Sequence, residues 1–325
     1  MANIVVTESC NLTCPYCFAN EFVNKTNREI SVDNFSCAID FLTSSQNTKG
    51  FVGIIGGEPT LHSQYVKLLH VLIERDDVKD VTIFTNGIRI DETFEMYTEK
   101  FSFLVNLNSP RIIGTTNYSR TLRNLDRLLL KFGKHSFTLG INIYETNQDY
   151  QYFLDALDQY RLDNARLSIT VSNKLHGAET IDRLRAFKHI GYELYKELLY
   201  RKIRPIFDCN KFPMCLWTEQ EKVKIGLFQK NIKNEKVGIN LSSCKCNPVI
   251  DILPDLTAIR CFGLSEKSKV PIGQFESYDK LKKYFHDNID KPLSKIPTAD
   301  QCQDCEFFIS GNCYSGCLGN KVVEK

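Results

Sequence analysis

"NIVVTESCNLTCPYC" (residues 3–17) joins an apolar, β-branched run to three closely spaced cysteines. The run predicts a buried β-strand. Cys10, Cys14 and Cys17 follow it, with three residues in one gap and two in the other. Because a structural zinc site is normally closed by four protein ligands, three thiols in one loop indicate a metal centre with one coordination position left for another molecule.

Apolar runs and amphipathic segments alternate through the first half of the chain. The predicted strands are 3–9, 51–56, 80–85, 101–108, 137–144 and 165–172. The predicted helices between them are 32–43, 62–74, 91–99, 119–132 and 149–160. This alternation predicts an α/β fold with a parallel sheet and right-handed crossovers.

The segment 32–43 has the clearest helical pattern. Ser31 is suited to be its N-cap, and Phe35, Ile39 and Leu42 have the spacing of one helical face. Cys37 is expected to lie in the core near Phe35 and Ile39, because a buried free cysteine behaves as a small hydrophobe.

Polar clusters follow the first four predicted strands. They are the three-cysteine loop, "GGEP" (56–59), "TNG" (85–87) and "NLNSP" (106–110). Each cluster after the first could be ordinary turn chemistry. Active-site residues of parallel α/β folds lie at the carboxyl ends of the strands, so the four clusters together predict one site at that edge of the sheet.

Composition narrows the classes of protein that need to be considered. A net charge of +2 gives no electrostatic footprint for nucleic acid or an anionic membrane. No signal peptide and no membrane-spanning stretch is apparent, so a cytoplasmic location is expected. In that compartment thirteen cysteines indicate metal or catalytic use rather than disulfides.

The cysteines also divide the chain. Four lie in the first 37 residues, none between 38 and 208, and nine between 209 and 317. A long charged helix is predicted over 178–203, and a shorter one over 276–287. We therefore expect a first domain over 1–203 and a cysteine-rich second domain over 204–325.

The spacing CxxxCxxC in "CNLTCPYC", followed by "GGEP" after the next strand, resembles the radical S-adenosylmethionine (SAM) superfamily. The resemblance covers about residues 1–200 and implies a partial (β/α)6 barrel of the TIM type. It implies that Cys10, Cys14 and Cys17 bind a catalytic 4Fe–4S cluster, with SAM on the open iron.

The same resemblance implies contacts with SAM. A carboxylate such as that of Glu58 suits the amino group of SAM, and Arg166 is placed either to neutralise the SAM carboxylate or to form an ordinary ion pair. Thr85 and Asn86 either shape the pocket or only form a turn. The residues expected to bind SAM are Tyr16, Gly56, Gly57, Glu58, Asn106, Asn108 and Arg166.

The run "CQDCEFFISGNCYSGC" (302–317) resembles the SPASM extension of radical SAM enzymes, which holds auxiliary 4Fe–4S clusters. The stretch 246–261 fits the same pattern, a hairpin-like segment between two cysteines; one or two zinc ribbons are the alternative. Counting thiols predicts two auxiliary clusters, with Cys244 spare; the alternative is a single cluster, with the cysteines of "DCNKFPMC" (208–215) packed in a core. Their expected ligands are Cys209, Cys215, Cys246, Cys261, Cys302, Cys305, Cys313 and Cys317.

Two positions depart from the SPASM pattern. Leu256 stands near the place of a hairpin glycine. Phe262 stands where sulfatase-maturing members have an acidic residue, which lowers the expectation of a formylglycine-forming activity.

The resemblance implies reductive cleavage of SAM to a 5′-deoxyadenosyl radical that abstracts a substrate hydrogen. The leading hypothesis is modification of a ribosomally made peptide, by a thioether, a carbon–carbon crosslink or epimerisation, with flavodoxin or ferredoxin as reductant. A radical SAM dehydrogenase or epimerase of a sugar or amino-alcohol is the second hypothesis. A non-catalytic metal-binding or electron-carrier protein is the third, and it would leave "GGEP" without a purpose.

Overall fold

The computed structural model describes residues 2–45, 49–170, 179–208, 212–230, 244–246 and 249–321. The chain forms two compact units that interleave along the sequence. The first unit comprises Met1–Thr138 and Pro248–Ile289, and the second comprises Leu139–Asn247 and Asp290–Lys325. The functional division expected at residue 203 stays a prediction.

Ten strands occur within the described residues. They are β1 (Ala2–Val5), β2 (Phe51–Ile55), β3 (Asp80–Thr85), β4 (Phe101–Asn106), β5 (Phe137–Ile143), β6 (Asn164–Ile169), β7 (Arg204–Phe207), β8 (Ile250–Ile252), β9 (Thr257–Ile259) and β10 (Val270–Pro271). The six strands predicted from the sequence correspond to β1–β6, most of them ending a few residues earlier than expected.

The strand order in the first unit is β10-β9-β8-β1-β2-β3-β4. Strands β1 to β4 pair in parallel, and β8 pairs in parallel with the other edge of β1. Strands β8 and β9 form the hairpin expected between Cys246 and Cys261, and β10 pairs antiparallel with β9. A strand from the cysteine-rich part of the chain therefore lies directly beside the strand that leads into the three-cysteine loop.

The second unit contains the parallel order β5-β6-β7. Strand β7 was not predicted, because it is only four residues long and alternates exposed and buried positions around Pro205. The predicted α/β class with a parallel sheet is confirmed.

The described α-helices flank these strands. They are α1 (Val32–Thr43), α2 (Tyr65–Glu74), α3 (Pro110–Ile113), α4 (Thr115–Phe132), α5 (Gln151–Gln159), α6 (Glu179–Tyr200), α7 (Glu219–Lys230), α8 (Ser265–Ser268), α9 (Tyr278–Phe285), α10 (Lys291–Ser294) and α11 (Glu306–Ile309). The helix predicted over 91–99 is instead a 3-10 helix over Ile90–Met96. None of the helices in the described ranges is long and apolar enough to cross a membrane.

Helix α1 begins at its predicted N-cap, but one of its residues, Cys37, does not lie where the sequence predicted. The Ser31 hydroxyl accepts a hydrogen bond from the Asn34 N–H at 3.1 Å, as the predicted N-cap should. Phe35 and Ile39 are buried, but Cys37 is exposed. Cys37 lies two positions from each of them, which turns it about 200° around the helix axis; the expectation that it packs in the core was wrong.

Candidate active site

The three-cysteine loop leaves β1 and is held by its own backbone and one asparagine. The Cys10 N–H donates to Asn24 Oδ1 at 2.7 Å, and Asn24 Nδ2 donates back to the Cys10 carbonyl at 3.1 Å. Asn24 has a φ of 56°, a conformation that asparagine tolerates better than most residues. The Leu12 N–H donates to Cys10 Sγ at 3.4 Å, and the Cys17 N–H donates to the Cys14 carbonyl at 3.1 Å.

A buried carboxylate anchors the base of this loop. Glu8 accepts from Arg28 Nη2 at 2.7 Å and from the hydroxyl of Thr26, and its carbonyl accepts from the Asn24 N–H at 2.8 Å. These contacts tie the segment after Cys17 to the end of β1. Sequence reasoning missed both Glu8 and Asn24; the available signal was an ionisable residue directly after an apolar strand.

The "GGEP" turn continues the pairing of β2 with the chain that leaves β1. The Gly57 N–H donates to the Thr7 carbonyl, and the Glu58 N–H to the Ser9 carbonyl, both at 2.8 Å. A Cβ at Gly56 would lie 2.5 Å from the Thr7 oxygen, and one at Gly57 would lie 2.3 Å from the Ser9 oxygen. Both glycines are therefore required, because the backbone of this turn closely approaches the backbone of residues 7–9, just before Cys10.

Glu58 is buried, and both of its carboxylate oxygens accept hydrogen bonds. Oε1 accepts from the hydroxyls of Thr60 at 2.8 Å and Thr85 at 2.7 Å, while Oε2 accepts from the Asn86 N–H at 2.8 Å. Burial raises the pKa of Glu58, and these hydrogen bonds oppose the rise. The carboxylate thus joins the turn after β2 to the turn after β3.

Side chains from the other strand ends reach the same place. Asn86 Nδ2 donates to Asn11 Oδ1 at 2.8 Å, inside the three-cysteine loop. The Tyr16 hydroxyl donates to Asn108 Oδ1, and Asn108 Nδ2 donates to the Asn106 carbonyl at 3.3 Å. The four polar clusters predicted to meet at the carboxyl ends of β1 to β4 do meet there.

The three thiols are half-buried and resist ionisation. Burial raises the pKa of Cys10 to about 12, and nearby Glu58 adds to that rise. Burial also raises the pKa of Cys14 and Cys17. Binding of a metal centre must therefore displace protons here, since thiolates are the ligands.

The donor set fits an iron–sulfur cluster. The described residues contain no group of three Cys, His, Asp or Glu side chains arranged to hold one metal ion. Thiolates of a 4Fe–4S cluster bind different irons, and cysteine is their usual ligand. Three half-buried thiols on one pinned loop match that need.

The loop rests on an aromatic cluster in the first unit. The Phe262 ring lies 5.3 Å from Phe18 and 5.8 Å from Phe22, edge to face in both cases. Cys17 packs against the same buried cluster. Phe262, which takes the place of an acidic residue, is therefore core in this chain.

Arg166 lies in the second unit and is already paired. Its Nη2 donates to Asp208 Oδ2 at 2.6 Å, and its Nη1 donates to Asn142 Oδ1 at 3.0 Å. The ion-pair alternative for Arg166 is thus observed, while the contact with SAM stays a prediction.

A second group of thiols lies in the second unit, around a small pocket. Four of its lining residues are cysteines: Cys215, Cys244, Cys305 and Cys313. The others are Pro213, Met214, Phe307 and Asn312. We call this the tail pocket.

Backbone pairing brings Cys244 to Cys313 at the tail pocket. The Cys244 N–H donates to the Asn312 carbonyl at 2.8 Å, and the Tyr314 N–H donates to the Cys244 carbonyl at 3.1 Å. A hydrogen bond from the Cys244 thiol lowers the pKa of Cys313 to about 6. This hydrogen bond favours the thiolate form of Cys313, the form that binds metals.

Cys302 completes the group. It is buried, and the Ser315 hydroxyl donates to its Sγ at 3.2 Å. The pKa of Cys215 is raised by burial and then by the charges of Cys313, Cys302 and Cys305, so these four thiols are electrostatic neighbours.

The four other cysteines predicted as ligands of auxiliary clusters do not line the tail pocket as a group. Cys261 belongs to the first unit, where it follows β9, and Cys246 and Cys317 belong to the second. Cys209 lies outside the described residues.

Fold and site together define an α/β protein with a three-thiol loop at the carboxyl edge of a parallel sheet. Residues 4–157 match the profile of the Radical SAM superfamily. These residues form a radical SAM domain.

Curated relatives are distant and match only in part. A GTP 3′,8-cyclase of Desulforamulus reducens is 25% identical over 231 residues, which are 70% of this chain and 62% of that protein. A GTP 3′,8-cyclase of Mannheimia succiniciproducens is 24% identical over 144 residues, 44% of this chain and 42% of that protein. The chain thus spans about half the length of such relatives.

Solved structures share the fold over nearly the whole chain. SuiB of Streptococcus suis, bound to S-adenosylmethionine, aligns with a TM-score of 0.61 and 16% identity, covering 98% of this chain and 73% of that one. The protein anSMEcpe with bound AdoMet aligns with a TM-score of 0.63 and 18% identity, covering 97% and 85%. A further anSMEcpe structure, with AdoMet and the Kp18Cys peptide, aligns with a TM-score of 0.61 and 18% identity. That alignment covers 97% of this chain and 88% of the other.

Proposed function

We propose that this radical SAM enzyme modifies a ribosomally made peptide, forming a thioether or a carbon–carbon crosslink or epimerising a residue. The observation that carries the proposal is the three-thiol loop, braced through Asn11 and Glu58 to the neighbouring turns. The peptide in the structure of anSMEcpe supports this substrate class, because that fold aligns with both the sheet and the cysteine-rich part of this chain.

Cys10, Cys14 and Cys17 would hold the catalytic 4Fe–4S cluster. When bound, the cluster and SAM supply the 5′-deoxyadenosyl radical that abstracts hydrogen from the substrate. The chain's own part is to orient SAM and to exclude water. A flavodoxin or ferredoxin would supply the electron.

Residues around the loop would shape the SAM site. The carbonyls of Gly56 and Gly57 would face the amino group of SAM, because that group donates hydrogen bonds and carbonyls accept them. Glu58 would place a negative charge near the amino group of SAM, and its hydrogen bond would keep the Asn86 backbone in position. Tyr16, Asn106, Asn108 and Arg166 are the further proposed contacts.

We assign the tail thiols to auxiliary 4Fe–4S clusters. Cys215, Cys302, Cys305 and Cys313 would ligate one cluster, since their charges interact around the tail pocket. Cys244 would donate a hydrogen bond to the Cys313 sulfur instead of binding iron. Cys209, Cys246, Cys261 and Cys317 stay ligands predicted from the sequence for a second cluster.

A small-molecule substrate is the second candidate. The curated relatives are GTP 3′,8-cyclases, whose name states a nucleotide substrate. This candidate also includes a dehydrogenase or an epimerase that acts on a sugar or an amino-alcohol.

The first test is SAM cleavage by anaerobically reconstituted protein with dithionite. We expect 5′-deoxyadenosine from the wild type, and none when Cys10, Cys14 and Cys17 are replaced together by Ala. The triple variant should keep the auxiliary iron. Cleavage that survives in it would overturn the assignment of the loop.

Substrate class is tested by co-expression and by yield. Candidate peptides co-expressed with the wild type should lose the mass of the hydrogens removed by crosslinking or, on epimerisation, should take up deuterium from heavy water. Peptides co-expressed with the triple variant should show neither change. Peptide should then raise the yield of 5′-deoxyadenosine in vitro, whereas GTP or an amino-sugar should not. A rise with GTP or an amino-sugar alone would favour the second candidate.

A further inference from the structure

Lys321 is a buried cation without a carboxylate partner among the described residues. Its side chain is 3% exposed. Its Nζ donates to the Leu293 carbonyl at 3.0 Å and lies 5.6 Å from the centre of the Phe308 ring. Neither neighbour carries a negative charge, and a buried ammonium group is costly unless it is paired.

The charged groups that Lys321 does meet are cysteines. Its ammonium interacts with the thiols of Cys313, Cys302, Cys317 and Cys246. The backbone gives the same placement: the Phe308 N–H donates to the Cys305 carbonyl at 3.0 Å, and the Lys321 N–H donates to the Leu318 carbonyl at 3.1 Å, directly after Cys317. A bound cluster keeps its cysteine ligands as thiolates, and their negative charge would pair with this buried ammonium group.

Iron–sulfur clusters with four thiolate ligands carry a net negative charge, which grows on reduction. Their reduction potentials depend on net charge, on hydrogen bonds to sulfur and on exposure to solvent. A fixed cation in a dry site stabilises the reduced form more than the oxidised form, because Coulomb attraction scales with the cluster's charge.

We propose that Lys321 is the counter-charge of an auxiliary cluster and raises its reduction potential. The inference rests on the proposed function insofar as that assigns clusters to the tail thiols. It adds a specific role: Lys321 makes an auxiliary cluster a better electron acceptor without ligating iron.

The test is an EPR-monitored redox titration of the fully loaded chain. Auxiliary signals are those that persist when Cys10, Cys14 and Cys17 are replaced by Ala. For Lys321→Met we expect the equilibrium constant for reducing one auxiliary cluster to fall about tenfold, which is about 59 mV for one electron. Lys321→Arg should retain most of the wild-type potential, and Lys295→Met, at an exposed lysine of the same unit, should not change it.

Each outcome decides the inference. An unchanged potential in Lys321→Met with full iron content would overturn it. If Lys321→Met and Lys321→Gln both lose a cluster, retention by Lys321→Arg supports the counter-charge, whereas loss in all three variants shows that only packing matters. A wild type without auxiliary signals would instead contradict the proposed clusters, and the SAM-cleavage assay reads the catalytic loop separately.

Discussion

Glu58 is the residue on which the candidate site depends most. Its two carboxylate oxygens accept from Thr60, Thr85 and the Asn86 N–H, so one buried group determines where two strand-end turns lie. A glutamine there would turn an amide N–H₂ toward at least one of these donors. The side chain thus has a structural task in addition to the proposed contact with SAM.

We expect Glu58→Gln to lower the free energy of unfolding by about 1.5–3 kcal/mol, the worth of a hydrogen bond to a charged group. SAM affinity should fall by about one to two orders of magnitude, because the brace and the charge are lost together. Denaturant unfolding and calorimetric titration with SAM measure these quantities. Glu21→Gln, at an exposed position, is the control; unchanged stability and affinity would leave Glu58 as an ordinary turn residue.

The paired thiols of Cys244 and Cys313 give a second prediction. In the metal-free protein at pH 7, iodoacetamide should modify Cys313, with a pKa of about 6, before Cys10, with a pKa of about 12. In Cys244→Ala the pKa of Cys313 should return toward 9.0, so its alkylation should slow at least about tenfold at pH 7. Peptide mass spectrometry follows both sites. Equal rates in the two proteins would show that Cys244 does not act on Cys313.

At the scale of elements, the hairpin β8–β9 connects the cysteine-rich part of the chain with the sheet. Strand β8 pairs with β1, and Asn3 Nδ2 donates to Asp251 Oδ1 at 2.8 Å across this pair. The turn of the hairpin places Leu256 at a φ of 61°, in the left-handed region that favours glycine. This conformation costs a non-glycine residue about 1–2 kcal/mol.

Leu256→Gly should therefore raise the free energy of unfolding, by up to about 1 kcal/mol once the greater freedom of the unfolded glycine is included. Leu256→Ala should give no such gain, because alanine keeps the strained backbone. Urea unfolding of both variants provides the comparison. A gain in alanine equal to that in glycine would mean that the leucine side chain, rather than the backbone, is the unfavourable feature.

At the scale of the whole molecule, the thiols serve two separate units. The three-cysteine loop and Cys261 belong to the first unit, while the tail pocket belongs to the second. Neighbours in the second unit come from distant parts of the chain, as Cys215 and Cys313 do.

The reconstituted wild type should carry about twelve irons per chain, from three 4Fe–4S clusters. Cys215→Ala should carry about eight, since one auxiliary cluster loses a ligand. Cys244→Ala should keep all three clusters, as should Cys37→Ala, whose thiol is exposed on α1. Iron content is measured under anaerobic conditions. A Cys215→Ala variant with as much iron as the wild type would show that Cys215 is not a ligand.

By itself, the amino-acid sequence determined the α/β class, the strands β1–β6 and the convergence of four polar clusters at one edge. These follow from local patterns: apolar runs of strand length, helical spacing, and turn residues at the strand ends. It did not reveal β7, the exposure of Cys37, the pairing of Cys244 with Cys313 or the burial of Lys321. Those depend on which distant segments pack together, and only the tertiary structure decides that, because burial and long-range pairing are properties of the folded chain as a whole.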